Sequence, residues 1–270
     1  MFLPLRDALS PLRFPAVTVA LIAINVLVYL VGLLPADAQV AGSSRTVTRH
    51  DIWVAEFGTV PCELLGTCQN QLGSAVVDRG ILDPTPRTVL IEVEDHAPVL
   101  TLFTSMFLHG GIIHLAFNML FLWVYGRNVE DAMHPLGFVA FYIFGGLVST
   151  VVQSLFTAGA AVPMIGASGA IAAVIGGYLV LYPRAKVLTM VFPPIFLWLP
   201  AWIVAGGWAV LQFIATWQKL FTPTGLVGGT ANMAHVAGFV VGLCLVKLLA
   251  ERRNPMYREL YGSGSPAINE

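Results

Sequence analysis

A serine and a histidine are the residues of this 270-residue chain best suited to chemistry, because each lies near the start of a long apolar segment. A neutral imidazole can take the proton of a serine hydroxyl as general base and later return it to a leaving amine, while the serine oxygen attacks an amide carbonyl. Ser168 and His235 therefore predict a nucleophile and a general base that hydrolyse an amide bond.

Another apolar segment carries His114 and Asn118, four residues apart and hence on one face of a helix. Two stacked donors of this kind could stabilise an oxyanion, and the backbone N–H of Ser168 at a helix start would add a third donor. An interhelical hydrogen bond is the alternative role for His114. His109 lies nine residues before Asn118, about half a turn off that face, so we expect it to face elsewhere and to bond loop backbone as a structural residue.

Acidic residues are missing from the apolar segments. The chain has no Asp or Glu from Ala132 to Ala250, and the apolar segment that begins at Val99 has none before Glu130. An intramembrane aspartyl protease needs two carboxylates, and a zinc protease helix needs His-Glu-x-x-His, so both chemistries are excluded. His235 would then act in a Ser–His dyad. The remaining strongly polar residues of the later segments are Gln153, Gln212 and Asn232.

The composition is that of a membrane protein. Charged residues make up only 11% of the chain and hydrophobic residues 57%, whereas a soluble domain carries about 25% charged residues. The mean hydropathy is +0.78. The net charge of −1 and the lack of a basic stretch beyond Arg252-Arg253 argue against a nucleic-acid partner. The lipid bilayer is therefore the expected surroundings.

Six apolar runs are about as long as the roughly 20 residues that a membrane span requires. They are Phe14 to Leu34, Val99 to Tyr125, Leu136 to Phe156, Ile165 to Leu181, Ile195 to Trp217 and Ala231 to Ala250. The predicted fold class is thus an all-α polytopic membrane protein. An even number of spans puts both termini on the same side.

The distribution of Lys and Arg predicts the orientation. With the amino terminus inside, nine of these residues fall in inner segments and only Lys219 in a short outer loop. Residues 1–13 and 251–270 are then cytoplasmic tails, and residues 35–98 form a long extracytoplasmic loop. A cleaved signal peptide is the alternative for the first span, but its 21 apolar residues exceed the usual core of about 7–15.

Small residues indicate how the fourth and sixth spans pack. Ser168, Ala172 and Gly176 recur every fourth residue, as do Ala234, Gly238 and Gly242, and such faces let helix backbones approach closely. Ser168 and His235 lie about three and four residues into spans of the same direction, so they should lie at similar depth near the outer face.

These residues resemble the rhomboid family of intramembrane serine proteases. The matching motifs are Gly166-Ala167-Ser168-Gly169, Ala234-His235-Val236-Ala237-Gly238 with Gly242, and the stretch from His109-Gly110-Gly111 to His114 and Asn118. The segment Gly126-Arg127-Asn128-Val129-Glu130-Asp131 resembles bacterial members. With the six-span plan, the resemblance covers roughly residues 14–250 as one protease domain.

The resemblance implies a function and a site. Ser168 would be the nucleophile and His235 the base; His114, Asn118 and the Ser168 amide would bind the oxyanion; His109, Gly166, Gly169 and Gly238 would shape the site. It also implies cleavage of single-span membrane proteins near the outer face, without metal or cofactor, in the bacterial inner membrane. Substrates would enter past the fifth span and its outer loop, roughly Trp198 to Trp202 and Leu220 to Thr230.

The chain departs from the family pattern at two places. Some rhomboids have an aromatic residue four positions after the serine that stacks on the histidine, whereas this chain has Ala172, so the pattern does not indicate what orients His235. The first loop has no evident Trp-Arg pair, since Val54 follows Trp53. This loop also carries Cys62 and Cys68, for which a disulfide and two free thiols both remain open.

Two other functions compete with proteolysis. A catalytically inactive rhomboid-like protein would bind or escort transmembrane clients, but such proteins usually lack the serine or the histidine. A transporter or channel would use polar residues to line a path, and the lack of intramembrane acids and of internal repeats argues against it. An intramembrane serine endopeptidase is the prediction that fits the residues best.

Overall fold

The computed structural model describes residues 3–39, 46–68, 74–78, 87–91, 97–192, 194–221, 231–251 and 254–262. The helices in this part are α1 (Ala16–Gly32), α2 (Arg49–Phe57), α3 (Pro61–Leu65), α4 (Pro98–Thr104), α5 (Ile112–Phe121), α6 (Arg127–Ala132), α7 (Pro135–Phe156), α8 (Ser168–Leu181), α9 (Ala201–Phe221), α10 (Asn232–Leu249) and α11 (Pro255–Tyr261). The strands are β1 (Leu3–Asp7), β2 (Pro35–Gln39), β3 (Thr46–Thr48), β4 (Ser74–Asp78), β5 (Arg87–Ile91), β6 (Lys186–Phe192) and β7 (Ile195–Pro200).

The protein is a mostly helical membrane protein. Helices α7 and α10 are long and apolar enough to cross a bilayer. The segments Pro98–Phe107 and Ile112–Ala132 together pass the same test, although they meet at an angle of 80°. Helices α1 and α8 are apolar but shorter.

The second predicted span, Val99 to Tyr125, is not one continuous helix. It consists of α4 and the 3-10 turn Ser105–Phe107, then a break, and then α5, which continues through the π-helical turn Leu122–Gly126 into α6. The break contains Gly110-Gly111, and glycine is a poor helix former because it loses the most backbone freedom on folding.

The fifth predicted span begins too early. Residues Ile195–Pro200 form strand β7, which pairs with β6 in an antiparallel hairpin, and the helix begins only at Ala201. Aromatic and β-branched residues of this stretch favour a strand. Apolar character alone did not distinguish this strand from a span.

The all-α prediction is also wrong outside the bundle. Strands β1, β6 and β7 form one sheet, and β2–β3 and β4–β5 form two further antiparallel pairs within the long first loop. In the same loop, Cys62 and Cys68 are joined by a disulfide, with a Cα–Cα distance of 4.7 Å. This pairing settles the alternative that the sequence left open.

Helix α8 lies at the centre of the bundle. Every residue from Gly169 to Tyr178 is buried, and the helix packs against α7 and α10. At one end of the bundle, β1 pairs with β6, and Asn254 Nδ2 donates to the backbone oxygen of Ser10 at 2.8 Å. Both terminal segments therefore meet at that end, as an even number of spans predicts.

Candidate active site

Glycines bring α8 and α10 into backbone contact. A Cβ on Gly238 would lie 2.1 Å from the Gly169 carbonyl oxygen, and one on Gly242 would lie 2.0 Å from that of Ala173. On the α8 side, a Cβ on Gly176 would lie 2.2 Å from the Phe239 carbonyl oxygen. The predicted close approach is confirmed, and Gly176 takes part in it as expected, but Gly169 and Ala173 make the other contacts of α8 in place of Ser168 and Ala172.

This packing joins the two candidate catalytic side chains. Ser168 is the first residue of α8, and His235 lies in the first turn of α10. The Ser168 Oγ and the His235 Nε2 are 2.8 Å apart, within hydrogen-bond distance. Both side chains are half-buried. The geometry is what proton transfer from the hydroxyl to the imidazole requires.

The second ring nitrogen of His235 and its ring plane contact residues of α9. Gln212 Oε1 lies 3.0 Å from His235 Nδ1, and the centroid of the Trp208 ring lies 5.7 Å from that of His235. Ala172 is fully buried. The sequence marks Gln212 as a polar residue in a span without assigning it a role, and it assigns no role to Trp208. The spacing of four residues between them, which puts both on one helix face, was the available signal.

His114 presents a donor to the same region. The Gly110 backbone N–H donates to His114 Nδ1 at 3.3 Å, so the neutral ring carries its proton on Nε2. A Cβ on Gly166 would lie 3.1 Å from this Nε2. Gly166 also has a backbone φ of 125°, which residues other than glycine rarely adopt. Gly166 thus allows the His114 ring to lie against the turn that leads into Ser168.

Asn118 is buried one helical turn after His114. Its Nδ2 donates to the His114 backbone oxygen at 2.8 Å, which uses one of the two amide hydrogens. The Ser168 N–H belongs to the first turn of α8, where N–H groups have no carbonyl within the helix to bond.

His109 lies closer to this group than a continuous helix would allow. Its ring is fully buried and stands edge-on to the His114 ring, with centroids 5.3 Å apart. Its backbone oxygen lies 2.7 Å from His50 Nε2. The His109 ring contacts His114 rather than facing away from it, because the chain breaks before α5. Its interaction with the Phe107 backbone agrees with the expected bond to loop backbone.

A small cavity adjoins Ser168. Its volume is about 30 Å³, and Ser105, Thr150 and Gln153 contribute polar groups to its wall. Gln153 Oε1 also accepts the Ala234 backbone N–H at 3.0 Å. The space and its polar lining suit about one water molecule. Among the described residues, no group of three or more His, Cys, Asp or Glu side chains is arranged to hold a metal ion.

Two segments, Trp198 to Trp202 and Leu220 to Thr230, are expected to line substrate entry. Trp198 belongs to β7 and Trp202 to the start of α9, next to the sheet that holds the amino-terminal strand β1. Ser168 and this sheet adjoin opposite ends of α8, so the stretch from Trp198 to Trp202 lies at the other end of the bundle from Ser168. Of the loop Leu220 to Thr230, residues 222–230 lie outside the described part.

Comparisons with known proteins agree on one family. The Rhomboid domain model matches residues 96–252. Rhomboid protein 1, mitochondrial, of Saccharomyces cerevisiae is 30% identical over 149 residues, which are 53% of this chain and 40% of that protein. Presenilin-associated rhomboid-like protein A, mitochondrial, of Danio rerio is 27% identical over 168 residues, which are 59% and 41%.

A bacterial relative shows a similar degree of likeness. Rhomboid protease GlpG of Salmonella paratyphi A is 27% identical over 143 residues, which are 53% of this chain and 46% of that protein. The chain thus spans less than half the length of each of these three relatives. All residues of the site described above, from His109 to Gly238, fall within the matched domain.

Proposed function

Because the chain belongs to the rhomboid family, we propose that it is an intramembrane serine endopeptidase that cleaves peptide bonds in or near transmembrane segments of other proteins. The observation that carries the proposal is the 2.8 Å separation between Ser168 Oγ and His235 Nε2. The name of the Salmonella relative, a rhomboid protease, supports the same activity.

The reaction follows from the roles of the two side chains. His235 Nε2 accepts the hydroxyl proton as Ser168 Oγ bonds to the carbonyl carbon of the substrate, and the carbonyl oxygen becomes an oxyanion. When the C–N bond breaks, the imidazolium returns the proton to the amine, and an acyl ester on Ser168 remains. Water then attacks the ester, with His235 again as base, and frees Ser168 and the new carboxyl terminus.

Three donors are proposed to stabilise the oxyanion: the His114 Nε2–H, the second amide hydrogen of Asn118 and the Ser168 N–H. Such donors act where negative charge develops, and loss of one costs about 10² to 10³ in kcat. His109, Gly166, Gly169 and Gly238 support this arrangement through their packing. The mechanism uses side chains and backbone of the chain alone.

The proposed architecture is a single six-span domain over residues 14–250. The spans are α1, the bent segment from α4 to α6, α7, α8, α9 and α10, with residues 35–98 outside and both tails in the cytoplasm. We propose the bacterial inner membrane as the location, because the segment Gly126-Arg127-Asn128-Val129-Glu130-Asp131 resembles bacterial members of the family; the charge distribution of the loops supports the orientation. Two of the relatives are named as mitochondrial proteins. Detection of the native protein in a mitochondrial membrane would therefore contradict this location.

Cleavage of a single-span substrate in liposomes tests the function. The purified wild type is expected to cut a panel of such substrates, and Ser168→Ala and His235→Ala are each expected to abolish the cut. Ser154→Ala, a change of another buried serine, serves as the control. Cleavage that survives Ser168→Ala rules out the mechanism. A wild type that binds the substrates and cuts none of them supports the inactive, client-binding alternative.

A further inference from the structure

His235 has two ring nitrogens, and only one of them faces the nucleophile. For His235 Nε2 to act as base, its lone pair must point at Ser168 Oγ, so the proton of the neutral ring has to sit on Nδ1. In serine proteases with a triad, a carboxylate holds that proton, and its loss leaves the ring in the wrong tautomer. No Asp or Glu is present in the sequence from Ala132 to Ala250 to do so.

The partner of Nδ1 is an amide on another helix. Gln212 Oε1 lies 3.0 Å from His235 Nδ1 and 2.7 Å from Asn232 Nδ2. An amide NH₂ group donates and does not accept, so the Gln212 atom that faces Asn232 is the acceptor oxygen. The same oxygen then accepts the proton on His235 Nδ1. This arrangement leaves the Nε2 lone pair directed at Ser168.

We propose that Gln212 is a positioning residue that fixes the tautomer and orientation of His235, so that the site works as a Ser–His–Gln relay with a neutral third member. Asn232, which is buried at the start of α10, orients the Gln212 amide. Trp208 packs on the imidazole from the same helix. The proposal rests on the proposed protease activity, which supplies the reaction that His235 serves.

Kinetics of three variants separate positioning from general packing. Gln212→Met keeps the chain length and removes the strong acceptor, and we expect kcat to fall about tenfold with KM within about twofold, because one hydrogen bond is worth about a factor of ten. Gln212→Glu retains an acceptor oxygen and is expected to keep most of kcat. Thr216→Val removes only a hydroxyl that bonds the Gln212 backbone oxygen and is expected to behave as wild type.

Nitrogen NMR of the ring-labelled full-length protein in liposomes reads the tautomer directly, with His235→Ala to identify the signals. We expect a protonated Nδ1 and a bare Nε2 in the wild type, and a rise of the Nε2–H form in Gln212→Met. A wild type with Nε2–H, or an unchanged kcat in Gln212→Met, overturns the proposal. An inactive wild type instead defeats the protease function, and the NMR result still decides the role of Gln212.

Discussion

Each nitrogen of the His235 ring has its own partner. Nε2 lies against the Ser168 hydroxyl, and Nδ1 lies against the Gln212 amide. The His114 ring is held in a complementary state, because the Gly110 N–H occupies Nδ1 and leaves the proton on Nε2. In the proposed mechanism the two histidines therefore have opposite tasks, His235 as a proton acceptor and His114 as a hydrogen-bond donor.

Gly166 is the residue whose change should disturb the donor most selectively. In Gly166→Ala the new methyl group would lie 3.0 to 3.1 Å from His114 Cε1 and Nε2, and the residue would keep an unfavourable φ of 125°. We expect kcat to fall about 10²-fold, the order found when one oxyanion donor is lost. Cleavage assays and thermal unfolding in detergent would measure the two effects separately.

The matched control for this change is Gly159→Ala. A Cβ there meets nothing within 4 Å, and Gly159 lies in the turn between α7 and α8. Wild-type kcat is expected for this variant. A Gly166→Ala protein that folds normally and cleaves at the wild-type rate would show that the His114 position does not depend on Gly166.

The sequence identified the residues of the site more completely than it identified their contacts. Ser168 and His235 could be predicted from the sequence, because a polar residue in an apolar segment indicates a functional site. The link from Gln212 to His235 depends on how α9 and α10 pack, which their separate periodicities do not encode. His109 was assigned to the wrong side because the half-turn estimate assumed an unbroken helix.

Among the elements, the pair α8 and α10 determines the distance between nucleophile and base. The carbonyl oxygens of Gly169 and Ala173 would lie only 2.1 and 2.0 Å from Cβ atoms placed on Gly238 and Gly242. The small-residue repeats predicted this approach, and only two of the contacting residues of α8 differed. Strand β7 was harder to predict, because its apolar residues fit a span as well as a strand and only the pairing with β6 decides between them.

Gly242→Ala should separate the two helices. Its Cβ would overlap the Ala173 carbonyl oxygen at 2.0 Å, and overpacking of this kind costs about 1–3 kcal/mol. We expect a lower unfolding temperature together with a loss of cleavage, because Ser168 and His235 sit on the separated helices. Thermal unfolding and the cleavage rate measure these effects.

Gly206→Ala on α9 provides the comparison, since a Cβ there meets nothing within 4 Å. Replacing a helical glycine by alanine in open space stabilises a helix by about 0.5–1 kcal/mol, so this variant should unfold at the same or a higher temperature. Equal stability losses in both variants would contradict the role assigned to the contact between α8 and α10.

Helix α1 is anchored by an acid from α6. Glu130 is buried and accepts the backbone N–H groups of Val17 and Thr18 at 2.9 and 2.7 Å, together with the Thr18 hydroxyl at 2.7 Å. These N–H groups belong to the first turn of α1, where they have no partner within the helix and where the helix dipole favours negative charge.

Glu130→Ala should therefore loosen α1. Three hydrogen bonds to the carboxylate are lost, each with a net contribution of about 1.5–3 kcal/mol, and the N–H groups of Val17 and Thr18 would lack an acceptor. We expect clear thermal destabilisation and faster amide hydrogen exchange in the first turn of α1. Glu251→Ala, at an exposed position, should change neither; an unaffected α1 in Glu130→Ala would refute the anchoring role.

At the scale of the whole molecule, the two terminal segments close one end of the bundle. Strand β1 pairs with β6, and Asp7 reaches inward to Asn128 Nδ2 at 2.6 Å and to the Tyr178 hydroxyl at 2.7 Å. Tyr182 and Tyr257 extend the contact to α11 with ring centroids 5.4 Å apart. The side shared by the termini was predictable from the span count; the sheet and the buried acid were not, because they depend on tertiary pairing.

Burial of Asp7 should make the stability of this end depend on pH. Desolvation raises the pKa of Asp7 from 3.8 to about 6, against the opposing hydrogen bonds from Leu9, Tyr178 and Asn128 and the Arg127 charge. The folded state then binds more protons than the unfolded state between about pH 4 and 6, so this contribution, on the order of 3 kcal/mol, is present at low pH and lost as the pH rises through about 6.

Asp7→Asn removes this titration. The difference in unfolding temperature between wild type and Asp7→Asn is expected to change in favour of the variant as the pH rises from 4 to 7, while groups common to both proteins cancel. Thermal unfolding in detergent at several pH values measures it. A constant difference across that range would mean that Asp7 does not titrate there in the folded protein.

Covalent modification of Ser168 tests the activated nucleophile most directly. The wild type in liposomes is treated with a serine-directed fluorophosphonate, and the modified residue is identified by mass spectrometry. We predict one adduct, on Ser168, and a labelling rate that falls by at least about a hundredfold in His235→Ala, in keeping with the usual contribution of a general base. An adduct on other serines alone, or labelling of Ser168 at the same rate without His235, would contradict the Ser168–His235 mechanism.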